Sequence, residues 1–320
     1  MSIDVSVPNL LLREGKKLED QRLITSAVEH PSVIDCFREL ERRGACVDYV
    51  GVTSQGSVDL EELREKLSPE TVLVSIMQVN NEIGTIHPVS EVSKIVRDFK
   101  REHQNMGPYP YVHTDASQGS LYLQVNVLKL GIDLLTIDGQ KVYGPKGVGG
   151  LYIKRGTKVA PFLIGGSQEF GLRPGTVNIP LIVGFKKAIE LADQNREKET
   201  ERIQQLRDLF IEELERKVPQ AEVNGSLENR IANNINISLP GMDSENLVIR
   251  LDAKGVACGT RSACIRDNGK GSYVIRALGK REEYALSSLR FSLGAHTTKE
   301  DVLYVIEKIA EIAGDFDKAR

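Results

Sequence analysis

"DLLTIDGQKVYGPKGVGGLY", residues 133–152, decides the fold reading. It opens with a short apolar run, Leu134, Leu135 and Ile137, of the length expected for a buried strand. The chain then leaves through a polar cluster presenting one lysine, Lys141, and a Gly-Pro-Lys-Gly turn at 144–147. Upstream, "TVLVSIMQV" (71–79) runs into "NNEIG", and "YVHTDASQG" (111–119) repeats the design of an apolar run followed by polar residues. Three consecutive strands therefore bring polar groups to one edge, the carboxyl ends of the strands, where open α/β sheets bind ligands.

Around this centre, apolar runs alternate with amphipathic segments, the pattern of a mostly parallel sheet wrapped by helices. "RLITSAVEH" (22–30) predicts a strand and its exit loop, and "PSVIDCFRELERRG" (31–44) a helix closed by Gly44. "CVDYVGV" (46–52) predicts a second strand and "DLEELREKL" (59–67) a short helix. A long charged helix is expected from Ile182 to Lys217, with Ile203, Leu206, Phe210 and Leu214 on one stripe and Pro219 beyond its end. "NNINISLPG", "ENLVIRLDAKG" and "LRFSLG", then a terminal helix opened by a Thr297-x-x-Glu300 capping box, predict a small α+β domain. The expected division is 1–190 for a large domain and 191–320 for the connecting helix and small domain. "DNGKGS" (267–272) has the composition of a loop.

Composition excludes several classes. A formal net charge of -3 argues against a nucleic-acid or membrane-surface protein. No apolar run approaches the ~20 residues of a membrane span, and no secretory signal is visible. Four cysteines, Cys36, Cys46, Cys258 and Cys264, lie without close pairing, which suggests reduced thiols and a cytoplasmic location. No C-x-x-C occurs and five histidines are scattered, so no metal site is expected.

A lysine, an aspartate and an arginine at strand ends suit a pyridoxal phosphate site. The amine condenses with the cofactor aldehyde, a buried carboxylate keeps the pyridine nitrogen protonated, and the arginine grips a substrate carboxylate. Spacing alone is explained more simply by a surface lysine, a capping aspartate and a salt-bridged arginine. The order of motifs adds what spacing lacks. "VEHPSV", "VNNEIG", "HTDASQ", "DGQKVYGPKGVGGLY", "GLRPGT", "RSAC", "SYVIRALG" and "SSLRFSLG" follow one another as they do in cysteine desulfurases. From about residue 20 to its end the chain resembles that family of class V aminotransferase-fold enzymes.

The resemblance implies an α/β fold of the type I pyridoxal phosphate enzymes, with a mostly parallel large domain and a small α+β C-terminal domain. It further implies a homodimer, pyridoxal 5'-phosphate as cofactor and L-cysteine as sulfur donor. Position by position, Lys141 matches the lysine that joins the cofactor, Asp115 the carboxylate facing the pyridine nitrogen, and Gln118 the amide on the phenolic oxygen. His30 matches an imidazole stacked on the ring that relays protons. Asn81 matches a side chain near the cofactor and the substrate carboxylate, whereas Asn80 reads as a turn cap. Gln140 stands where the family has a phosphate donor, Thr176 matches a residue reaching the partner subunit's cofactor phosphate, and Arg290 matches the grip on the substrate carboxylate. Arg173 is read as either structural or at the pocket rim.

Cys264 matches the sulfur-accepting cysteine. The attacking species must be a thiolate, and Arg261 and Arg266, close in sequence, would favour it. The persulfide formed there would pass to a sulfur acceptor or iron–sulfur scaffold protein, for cluster assembly or tRNA thiolation. Cys258 is read as a buried small apolar side chain, and Cys36 and Cys46 as structural residues flanking a helix.

Two departures shape the expectations. The family's glycine-threonine turn, which holds the phosphate at a helix N-terminus, has no counterpart, and "SVPNLLLREGKK" (6–17) reads as a remnant of the helix after it. The missing strand and helix would leave apolar surface uncovered. The family's Ser-x-His-Lys is here Asp138-Gly139-Gln140-Lys141, and an ionised Asp138 beside a phosphate dianion would cost on the order of several kcal/mol at an effective dielectric of ~20. These departures motivate a second reading, a relic of the fold that dimerises or binds sulfur-transfer partners without chemistry. A third keeps the enzyme and changes the substrate, as in a selenocysteine lyase or another class V enzyme.

Overall fold

A computed structural model describes residues 17–103, 107–161, 163–260 and 271–319. The elements in chain order are β1 (Arg22–Ser26), α1 (Pro31–Arg42), β2 (Cys46–Val50), α2 (Leu60–Lys66), β3 (Thr71–Ser75), α3 (Val89–Glu102) and β4 (Tyr111–Asp115). There follow α4 (Val127–Leu130), β5 (Leu134–Asp138), β6 (Gly149–Ile153), α5 (Ile179–Lys217), β7 (Glu222–Val223) and β8 (Asn234–Ser238). The chain ends with α6 (Ser244–Asp252), α7 (Tyr273–Ala277), α8 (Glu282–Leu286), β9 (Ser288–Ser292) and α9 (Lys299–Ala319).

The chain divides into two units. The first comprises residues 1–51, 58–79 and 87–194, and the second residues 52–57, 80–86 and 195–320. The "NNEIG" turn thus belongs to the second unit although its strand belongs to the first.

The first unit is built on a six-stranded sheet of order β2-β1-β3-β4-β5-β6. β1 to β5 run parallel, and β6 returns antiparallel to β5. Because side chains alternate along a strand, neighbouring residues enter opposite cores. Ile24, Val74, Val112 and Leu135 pack with Leu63 of α2 and Val92 and Val96 of α3. Leu23, Leu73, Tyr111 and Leu134 pack on the other face with Val33, Phe37 and Leu40 of α1. Helices on both faces explain why these strands read as continuous apolar runs.

The second unit holds an antiparallel sheet β7-β8-β9. Ile203, Phe210 and Leu214 of α5 are buried, and the Phe210 ring lies 5.1 Å from that of Phe291 on β9.

Several boundaries differ from the sequence reading. β3 stops at Ser75, although 76–79 stay buried. α5 begins at Ile179 rather than Ile182. The capping box of α9 falls one residue later: Thr298 Oγ1 accepts from the Asp301 amide at 3.1 Å, and the Thr298 amide donates to Asp301 at 2.9 Å. Thr297 instead accepts from the Gly294 amide, closing the preceding turn. Cys36 lies inside α1 and Cys46 opens β2, so they do not flank the helix. No helix among the described residues is long and apolar enough to cross a membrane.

Candidate active site

The carboxyl ends of β1, β4 and β5 carry most of the candidate residues of the first unit. β5 ends at Asp138, whose Oδ1 caps a 3-10 turn over Gly139–Val142 by accepting from the Gln140 amide at 3.1 Å. The turn is closed by the Gly144 amide donating to Gly139 O at 2.9 Å. Glycine is required at 139, because a Cβ there would stand 2.7 Å from Val148 O. Val142 anchors the turn by packing with Phe185 and Ala188. Tyr143 then takes a left-handed conformation, φ 61°, which few non-glycine residues adopt. Between buried Val142 and the capped strand end, Lys141 is held outward, exposed, with no hydrogen bond or ion pair to any described residue.

β4, the neighbour of β5, ends at Asp115, opposite Thr136 in register. The Asp115 carboxyl is buried and accepts from the Ser117 amide at 2.8 Å. Gln118 follows, half-buried, its side-chain amide engaged by no described residue. Nearby, the buried Gln78 Oε1 and Ser117 Oγ have no protein partner among the described residues. A Cβ on Gly119 would stand 2.2 Å from Gln78 Oε1, so glycine there leaves room for that amide.

At β1, His30 caps α1: its Nδ1 accepts from the Ser32 amide at 3.2 Å and lies 2.7 Å from Ser32 Oγ. His30 therefore serves as the cap of α1 whatever else it does. Glu29 beside it was not singled out in the sequence, yet it is fully buried, and burial pushes its carboxyl up to about 8, with Asp115 adding to the rise. Under the edge, His113 spans three strands, 2.8 Å from Ser75 Oγ on β3 and 2.9 Å from Thr136 Oγ1 on β5.

The structure places the remaining candidates differently. The Gln140 side-chain amide donates to Asp138 Oδ2 at 3.0 Å, so the amide expected to meet a phosphate is turned to its neighbour. Thr176 and Arg173 lie on an exposed stretch, Arg173 donating to Pro174 O, and among the described residues no hydrogen bond joins either to another candidate. Asn81 and Arg290 belong to the second unit, where Arg290 Nη1 donates to Asn81 O at 3.1 Å. Asn80 caps the turn as expected, its Oδ1 accepting from the amides of Glu82 and Ile83. Cys258 is half-buried rather than buried, and desolvation, with Asp252 adding, pushes its thiol up to about 11, which disfavours a thiolate. Cys264, with Arg261 and Arg266, "DNGKGS" up to Lys270 and "SVPNLLLREGKK" up to Gly15 and Lys16, lies outside the described residues.

The donor set fits the ring and aldehyde of pyridoxal phosphate: an unengaged amine able to condense, and a buried carboxyl able to hold a protonated ring nitrogen. Its phosphate end is served less well, since the Gln140 amide is spent on Asp138.

Three buried titrating groups, Glu29, His87 and His113, give the first unit a pH signature. Burial lowers His87 to about 4 and His113 to about 3, so both are neutral in the fold. An unfolded chain protonates them near 6.5, so stability is lost as pH falls below that value, by about 1.4 kcal/mol per pH unit for each histidine. Glu29 acts oppositely. Its contribution is complete below its unfolded value of 4.5 and is lost as pH rises towards 8. Stability from these three groups therefore peaks near pH 6.5. Urea unfolding between pH 5 and 8.5 checks this; a monotonic profile would contradict it.

Comparison with known proteins supplies the family. The model of the class-V aminotransferases matches residues 6–305. The chain is 44% identical over 292 residues to the cysteine desulfurase IscS of Dictyoglomus turgidum, covering 91% of this chain and 72% of that protein. It is 42% identical over 292 residues to the corresponding protein of Methanosarcina thermophila, covering 91% and 70%. Among solved structures, a NifS-like protein superposes with a TM-score of 0.84 at 34% identity, covering 94% of this chain and 76% of that one.

Proposed function

The chain belongs to the class-V aminotransferase family, and from that premise we propose that it is a pyridoxal phosphate-dependent cysteine desulfurase, converting L-cysteine to L-alanine. The observation that carries the reading is the Lys141 amine, engaged by no described residue and held on a rigid turn beside the strand that ends in buried Asp115. When bound, pyridoxal phosphate supplies an electron sink that weakens the carbon–sulfur bond of cysteine.

The chain's own residues then divide the work. Lys141 would hold the cofactor through its aldehyde. Asp115, fixed by the Ser117 amide, keeps the ring nitrogen protonated, and Gln118 donates to the phenolic oxygen. His30, oriented through its Nδ1, carries a proton at the ring face. Arg290 forks onto the substrate carboxylate, with Asn81, whose backbone oxygen accepts from the Arg290 guanidinium, beside it. The Cys264 thiolate takes the sulfur as a persulfide and passes it to an acceptor protein, of the kind that builds iron–sulfur clusters or thiolates RNA. A cytoplasmic location agrees with Cys36, Cys46 and Cys258 being in no disulfide.

A homodimer completes the proposal. Ile164 and Phe170 are almost fully exposed, and Ile179 and Val183 are more than half exposed, all in the first unit. Apolar side chains displayed this way mark association surfaces.

The test is direct. The purified chain is loaded with pyridoxal phosphate, freed of excess cofactor and given L-cysteine, while light scattering reports its mass. Alanine formed over many turnovers by a particle of twice the chain mass is the expected result. A cofactor-loaded protein that forms no alanine would reject the assignment, and a monomer that is fully active would reject the dimer.

A further inference from the structure

Glu29 has no part in the chemistry proposed above, yet its hydrogen bonds join two strand exits of the same edge. Its Oε1 accepts from Ser26 Oγ at 2.7 Å and from the Met77 amide at 2.8 Å. Ser26 closes β1, and Met77 lies just beyond the end of β3, the strand next to it. One carboxyl oxygen thus fastens the exit of β1 to the exit of β3. The very next residue is His30, the cap of α1.

We propose, resting on the desulfurase reading, that Glu29 is a positioning residue for the reaction: its clamp on Ser26 and Met77 fixes the turn that carries His30 at the edge where Asp115 emerges. A histidine that moves protons needs its ring placed to within a fraction of an ångström, and misplacement by about 1 Å costs on the order of 100-fold in rate. The β1–α1 turn is four residues long, 27–30, and Glu29 is the member that reaches across to β3. A carboxyl buried here is an expensive choice for a strut, and hydrophobic residues could fill the same volume. Asp115 of β4 raises its pKa by repelling the charged form; Ser26 of β1 and Met77, just past the end of β3, offer neutral donors. A protonated Glu29 keeps both hydrogen bonds and lessens the repulsion from Asp115.

The experiment compares Glu29→Gln, Glu29→Ala, His30→Ala and the Glu29→Ala/His30→Ala pair in cofactor-loaded protein. Glu29→Gln keeps the acceptor oxygen for both hydrogen bonds and is neutral at every pH. Glu29→Ala is expected to lower kcat about 10- to 100-fold with KM for cysteine nearly unchanged, and Glu29→Gln to rescue most of that loss. The double variant is expected to be no slower than His30→Ala, because both changes remove one positioned imidazole. In cofactor-free protein, Glu29→Gln is also expected to abolish the fall in unfolding midpoint between pH 6.5 and 8.5. Losses from Glu29→Ala and His30→Ala that multiply, or a Glu29→Gln variant as slow as Glu29→Ala, would overturn the role. A wild-type chain that forms no alanine would overturn the desulfurase reading, and this role with it.

Discussion

Lys141→Ala is expected to abolish the visible absorbance band that retained pyridoxal phosphate gives, and to lower alanine formation from cysteine at least about 1,000-fold, roughly 4 kcal/mol of activation free energy. The expectation follows from how the turn is made. Asp138 caps it, Gly139 lets Val148 O approach, and Val142 is buried against Phe185 and Ala188. Lys146, five residues on in the same connection and also exposed, is the internal control. Lys146→Ala should leave both the band and the rate within about twofold, as surface changes usually do. Cys264→Ser separates binding from sulfur acceptance: the band should persist while persulfide formation is lost. If Lys141→Ala retained the band through desalting, the cofactor would be joined elsewhere, and the assignment of this turn would be wrong.

The main architecture was readable because the strands obey a period of two inside a sheet covered on both faces. Leu23/Ile24, Leu73/Val74 and Leu134/Leu135 are adjacent apolar pairs, each split between two cores. What apolar density reports is burial and not ladder length. "TVLVSIMQV" reads as nine strand residues, yet β3 ends at Ser75, and the amides of Ile76 and Gln78 continue to bond His113 O and Asp115 O outside regular strand geometry. Polar residues misled in the opposite direction. On α5, Leu206 was expected to face the core, but it is half-buried while Arg207 is buried. Arg207 can sit there because its guanidinium donates to Arg230 O, Ile231 O and Asp208. No helical periodicity signals those partners. Glu29 was missed for the same reason, since the amide it binds belongs to a residue 48 positions away. The Asp138–Gln140 bond, two residues apart, lay within reach of a local reading, though phosphate was the partner expected for that amide.

Phe210→Ala is the sharper test of that corrected helix face. Phe210 is 1% exposed and its ring meets Phe291, the residue after Arg290 on β9. Truncating a buried phenylalanine removes its transfer free energy and leaves a cavity, for an expected loss of about 3–5 kcal/mol. Leu206→Ala, on the half-buried side, should cost no more than about 1.5 kcal/mol; equal losses would mean that the stripe read from periodicity governs after all. The consequence reaches function through β9, whose pairing with β8 brings Asn236 opposite Arg290 and Ile235 opposite Phe291. A cavity beneath Phe291 loosens the strand that carries Arg290, and the bidentate grip on a carboxylate proposed for its guanidinium is intolerant of such movement. The KM for cysteine should therefore rise several-fold in Phe210→Ala at temperatures where the protein remains folded, while the visible band of the cofactor, held by the first unit, stays in place. A lost band with an unchanged KM would instead place the substrate carboxylate away from Arg290.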